Sequence, residues 1–165
     1  MKLIHKAFAL AAGLAFTTTA AFADDKATNK ICPIMVEDEI DDEESSEYEG
    51  KTVYFCCTTC KKVFDANPKY IIKVAADSLP QFKGMEDKLK LSEVKLLDQK
   101  FCPMYPDSLI TPDSPSVEYK GKKIYFFKKR AVDKWEKDPE GNFKKATEEG
   151  LLPQFKENKK KEEKK

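Results

Sequence analysis

The chain has 165 residues, with 30 basic and 29 acidic side chains, one His and five Cys. That near-neutral balance gives no electrostatic reason to expect nucleic acid as a partner, and the length fits one domain or two very small ones. The only His is His5, so beyond the N-terminal segment there is no imidazole for a Ser-His or Cys-His nucleophile pair, nor for a His-rich metal site.

Residues 1–23 read as a signal peptide. Lys2 and Lys6 supply the positive start, an apolar run follows from Ala7 to Phe16, and Ala21-Phe22-Ala23 offers small residues where a signal peptidase cuts. The apolar run is too short to cross about 30 Å of hydrocarbon, and no Cys follows it to carry a lipid. The mature chain is therefore expected to be soluble, without a membrane span, and periplasmic or secreted. Removing Lys2 and Lys6 from the 30 cations leaves 28 against 29 acids.

In chain order, a Cys32-Pro33 turn comes first. Glu37 to Glu49 (EDEIDDEESSEYE) reads as a solvated acidic loop; it lacks the Gly and oxygen spacing of a calcium loop. Glu49-Gly50-Lys51 is a tight hairpin turn, flanked by the β-branched and aromatic run Thr52 to Phe55. Thr58 or Thr59 is expected to cap a helix that carries Cys60, Val63 and Phe64 on one face. Asn67-Pro68 ends it and starts a second helix with Tyr70, Ile71 and Val74. Gly84 to Lys100 connects to the second half with some order, and 158–165 is a charged tail expected to be disordered.

The second half repeats the first. EYEGKTVYF at Glu47 recurs as EYKGKKIYF at Glu118, 71 residues later. Cys32-Pro33 recurs as Cys102-Pro103, Phe64 as Trp135, Asn67-Pro68 as Asp138-Pro139, and LPQFK at Leu79 recurs at Leu152. Shared order at nearly constant spacing marks a duplication, with repeats over 24–98 and 99–157. The expected class is α+β, each repeat running Cys-Pro turn, β-hairpin, helices. The repeats part at the thiols: Cys56, Cys57 and Cys60 become Phe127, Lys128 and Ala131. The second repeat is thus read as a structural copy that binds no metal.

Cys32, Cys56, Cys57 and Cys60 are the candidate metal ligands. Soft ions need several thiolates converging at about 2.3 Å. A helix start places Cys56 or Cys57 about one turn from Cys60, and its N–H groups and dipole favour the thiolate. Cys32 closes the set from the Cys-Pro turn, leaving open which of Cys56 and Cys57 ligates. A repeat this small gains only a few kcal/mol from its core, whereas a structural metal supplies on the order of 10 kcal/mol. One zinc or copper ion in the first repeat is the expected cofactor. Met35 is a possible thioether ligand, though more simply a packed side chain; Cys102 is a small buried hydrophobe or a remnant of a lost site.

Two other readings stand beside metal binding. Cys57-Thr58-Thr59-Cys60 has the Cys-x-x-Cys spacing of dithiol redox proteins, but lacks their strand-rich context and gives Cys32 and Cys56 no role. A disulfide-stabilised structural or adaptor protein is the other, a bridge being worth roughly 2–4 kcal/mol.

ICPIM followed by YEGKTVYFCCTTCKKVFDANPKYI resembles the TRASH/YHS family of small metal-binding domains, across Ile31 to about Ile72 and weakly across Phe101 to Phe143. The resemblance implies two tandem treble-clef-like zinc-finger repeats, the second degenerate. It also implies binding of heavy or transition metal ions, with a role in metal trafficking, sensing or resistance; the expected protein is non-enzymatic, with the metal ion and another exported protein as partners. Cys32, Cys56 and Cys60 fall on the family's ligand positions; Cys57 stands where many members have Ser.

Overall fold

Two hairpins built to one plan organise the chain. In the computed structural model, which describes residues 29–156, β1 (Asp41–Tyr48) pairs antiparallel with β2 (Lys51–Phe55), and later β5 (Ser116–Tyr119) pairs with β6 (Lys122–Tyr125). Each turn has two central residues at positive φ: Glu49 at 51° and Gly50 at 75°, then Lys120 at 48° and Gly121 at 74°. That left-handed pair matches the twist of the strands, and Gly at its second position removes the Cβ clash. The signal peptide read over 1–23 and the tail over 158–165 lie outside the described residues.

Helices follow each hairpin: α1 (Thr58–Ala66) and α2 (Pro68–Val74) in the first repeat. A short α3 (Glu86–Leu89) leads into the connection. A small ladder of β3 (Phe101–Cys102) and β4 (Tyr105–Leu109) opens the second repeat, and α4 (Lys129–Trp135) and α5 (Pro139–Glu148) close it. Pro68 and Pro139 occupy first helical turns, where the missing N–H costs nothing. The architecture is α+β, with small antiparallel sheets. No helix among the described residues is long and apolar enough to cross a membrane.

The aromatic anchors explain why the repeats share a shape. Tyr48 meets Phe64 edge-on at 6.2 Å, and Tyr119 meets Trp135 edge-on at 5.7 Å. Phe55 lies 5.3 Å from Phe64, and Phe126 lies 5.5 Å from Trp135. Hairpin and helix are thus locked together in both halves by equivalent rings, each worth about 0.5–1.5 kcal/mol beyond its buried area.

The acidic stretch corrects the expectation of a loop from Glu37 to Glu49: most of it is β1. Its register against β2 pairs Ser46 with Val53 and Glu47 with Thr52, so the polar sequence is carried by a ladder its partner strand supplies. Ser46 turns inward, donating to Asp65 Oδ1 at 2.5 Å and accepting from Lys61 Nζ at 2.8 Å. The pairing is interrupted between Asp41 and Ser45, which puts Asp42, Glu43 and Glu44 in an irregular bulge.

The repeats also hold each other. Val36 donates its backbone N–H to the carbonyl of Asp107 at 3.0 Å, and Leu109 donates to Ile34 at 2.8 Å, with Met35 bridging Ser108 between them. Ile34, Leu109 and Ile110 are fully buried there. The turn after Cys32 is therefore braced by the second repeat's β4.

Candidate metal centre

Cys32 reaches the site from a tight knuckle. Its N–H donates to Asp38 at 2.9 Å, and Asp38 donates to Met35 at 3.0 Å, closing the loop on itself. Met35 then donates its own N–H to Cys32 Sγ at 3.5 Å. Cys56 follows the last residue of β2, Cys57 is the N-cap of α1, and Cys60 lies in that helix's first turn. Hairpin and helix start thus carry three sulfurs to the one in the knuckle.

The convergence is tight. The sulfurs of Cys32, Cys56 and Cys60 all lie within 4.8 Å of one another, and Cys56 and Cys60 are 3.6 Å apart. Cys57 Sγ sits 3.7 Å from Cys60 and 3.8 Å from Cys56, but outside the set that includes Cys32. Thiolates at 2.3 Å from a tetrahedral ion are about 3.8 Å apart, so these separations suit a shared ion. Cys32 and Cys60 are fully buried, whereas Cys56 and Cys57 are half-buried. None of the five Cys is bridged.

Protons are shared unequally. The Cys60 thiol, donating to Cys32, holds the Cys32 pKa down at about 6 against the cost of burial, with help from the N–H groups of Cys56, Met35 and Ile34. Donating that bond, together with burial, pushes Cys60 up. Burial and then the Cys32 charge push Cys56 up. Burial also opposes ionisation of Cys57, but the N–H groups of Cys60 and Thr59 and the neighbouring thiols outweigh it and lower its pKa. One thiolate, ringed by thiols that share its charge, is a nest for a cation.

The cap of α1 differs from expectation. Neither Thr58 nor Thr59 caps it; both lie inside the helix, and Cys57 takes the cap position without a side-chain capping bond. The Thr58 hydroxyl is engaged elsewhere, donating to Glu44 Oε1 in the β1 bulge at 2.5 Å. Met35 is half-buried against the core and contributes its N–H to the knuckle.

The second repeat preserves the knuckle without the partners. Cys102 is fully buried, which raises its pKa against the opposing N–H groups of Phe127, Met104 and Tyr105. Those donors are the positional counterparts of Cys56, Ile34 and Met35 around Cys32. Phe127 and Ala131 are buried where Cys56 and Cys60 stand in the first repeat, and Lys128 places its ammonium over Tyr105 at 4.9 Å. Cys102 is thus buried with no second thiol at the positions that match Cys56 and Cys60.

Sequence reasoning missed a pair of amide clamps. Asn29 donates to the carbonyl of Tyr54 at 2.8 Å and accepts from its N–H at 3.2 Å, while Gln81 donates to Thr52 at 3.1 Å. Gln99 repeats this on Tyr125, donating at 2.7 Å and accepting at 2.9 Å, and Gln154 donates to Lys123 at 3.1 Å. Each clamp completes the outer edge of the second strand of its hairpin, and the first lies on the strand that leads to Cys56. The signal was present in LPQFK, whose Gln is Gln81 in one copy and Gln154 in the other.

Comparison with protein-family models, curated proteins and solved structures finds no match to this chain.

Proposed function

We propose that this is an exported, non-enzymatic metal-binding protein that holds one soft transition-metal ion, zinc or copper(I), in the thiolates of its first repeat. The observation that carries the reading is the convergence of Cys32, Cys56 and Cys60, with their sulfurs within 4.8 Å of one another. An all-sulfur donor set selects soft or borderline ions over magnesium or calcium. The resemblance to TRASH/YHS domains and to treble-clef zinc fingers agrees with a knuckle, hairpin and helix meeting at the ligands, and the signal-like N-terminus motivates the periplasmic or secreted location. Trafficking, sensing and resistance are the roles that fit a half-buried site of this kind.

Metal analysis of protein purified under reducing conditions tests the reading. About one ion per chain is expected, with the stoichiometry lost in Cys32→Ser. A metal-free protein whose folding is indifferent to Cys32→Ser would reject it.

A second reading draws on the 3.7 Å approach of Cys57 to Cys60 and on the lowered Cys57 pKa: a dithiol that cycles with a disulfide. Turnover in an insulin-reduction assay that depends on Cys57 and Cys60 would favour it over metal binding.

A further inference from the structure

We infer that Cys57 is a removable lid on the metal, a fourth sulfur that closes the outer face of the Cys32, Cys56 and Cys60 nest and leaves when the ion passes to a thiol-bearing carrier. The inference rests on the metal reading above and assigns Cys57 a role distinct from the three holders.

Geometry separates Cys57 from the others. Its sulfur lies against the Cys56 and Cys60 edge of the cluster, at 3.8 and 3.7 Å, spacings that would suit two ligands of one tetrahedral ion. It is nevertheless absent from the mutually close set that contains Cys32. Burial places Cys57, together with Cys56, on the outer side of the cluster. Cys32 and Cys60 are 0% exposed, whereas Cys57 is half-buried and is followed by exposed Thr58 and Thr59.

Attachment divides them again. Cys32 is fixed by its knuckle hydrogen bonds and by the bracing of Ile34 and Val36 against the second repeat. Cys60 is fixed within α1, packed beside Phe64 in the core. Cys57 sits in extended backbone at the N-cap, φ −169° and ψ 162°, and its side chain makes no capping hydrogen bond. Rotating it between staggered χ1 wells therefore costs the helix no cap, while the three-sulfur nest stays assembled.

The exchange step needs no redox change. An incoming carrier thiol forms a metal–sulfur bond as the metal–Cys57 bond breaks, and the proton shed by the carrier thiol is taken up by the departing Cys57 sulfur. Sulfur count and charge at the ion are unchanged, so the barrier is that of ligand substitution at an accessible face.

Full-length protein loaded with cadmium as the probe ion tests this. Cys57→Ser and Cys57→Ala should each retain a bound ion, with thiolate-to-cadmium absorption lower by about one quarter, one sulfur of four. Release to a competing chelator should accelerate on the order of tenfold, because affinity changes of this kind fall mainly on the off-rate. Cys60→Ser, by contrast, should lose the ion. Unchanged absorption in the Cys57 variants would show that Cys57 never ligates, and an unchanged release rate would show that it is no lid. Loss of the ion as complete as in Cys60→Ser would make it a holder; each of these three results overturns the inference. Failure of the unaltered protein to bind cadmium would instead remove the metal reading beneath it.

Discussion

The Cys60 thiol, its sulfur within 4.8 Å of that of Cys32, holds the Cys32 pKa down, and both residues are fully buried. The knuckle and the helix, distant in sequence, thereby share one negative charge before any cation arrives. Cys32 is ionised above about pH 6, while Cys56 and Cys60 are pushed up and keep their protons at neutral pH. In Cys57→Ser, which keeps the three holders alone, an ion that takes all three sulfurs as thiolates must release the protons of Cys56 and Cys60. The metal affinity of that variant should therefore rise with pH, by about two log units per pH unit above pH 6. Below pH 6 the slope should steepen to about three, as Cys32 also protonates. Competition titrations across this range measure the slope, and a flat profile would contradict the arrangement.

The two knuckles should behave differently when cut. Cys32→Ser is expected to abolish ion binding and with it the rise in melting temperature that metal confers. Cys102→Ser is expected to keep both, at a cost of about 1 kcal/mol for altering a buried position, because Phe127 and Ala131 offer no further sulfur. Thermal melts with and without zinc distinguish the two variants.

Restoring the lost sulfurs should restore a site. Phe127→Cys with Ala131→Cys places thiols at the counterparts of Cys56 and Cys60, beside a Cys102 that already has the matching N–H donors. Truncating the buried Phe127 should destabilise the metal-free protein by about 3 kcal/mol, and added metal should recover that loss. The measurement is metal content, expected to reach about two ions per chain; a value unchanged from the parent would mean that the second knuckle is not equivalent.

The amide clamps should matter more than their polarity suggests. Gln99 is 2% exposed and serves both the N–H and the carbonyl of Tyr125, as well as the carbonyl of Phe101. Gln99→Ala leaves those groups buried without their partner, at a cost of about 1–3 kcal/mol. Gln81→Ala should cost less, because Asn29 continues to hold Tyr54. Urea denaturation should show the Gln99→Ala midpoint falling without a change in slope.

The sequence alone determined the features that depend on neighbouring residues. The Gly50 and Gly121 turns, the Asn67-Pro68 break between helices, the paired aromatic anchors and the candidate sulfurs follow from local backbone preference and from repetition within the chain. Tertiary structure alone decided the rest. Asp41 to Tyr48 looks like a solvated loop because its strand character comes from pairing with Lys51 to Phe55, not from its own composition. Thr58 looks like a cap, but a carboxylate from the β1 bulge claims its hydroxyl. The separation of Cys57 from the Cys32, Cys56 and Cys60 set, and the bracing of the first knuckle by Asp107 and Leu109, are relations between segments distant along the chain. Spacing in sequence fixes which groups can approach along one helix or hairpin; which sulfur ends nearest another depends on how those elements are packed together, and no local preference encodes that.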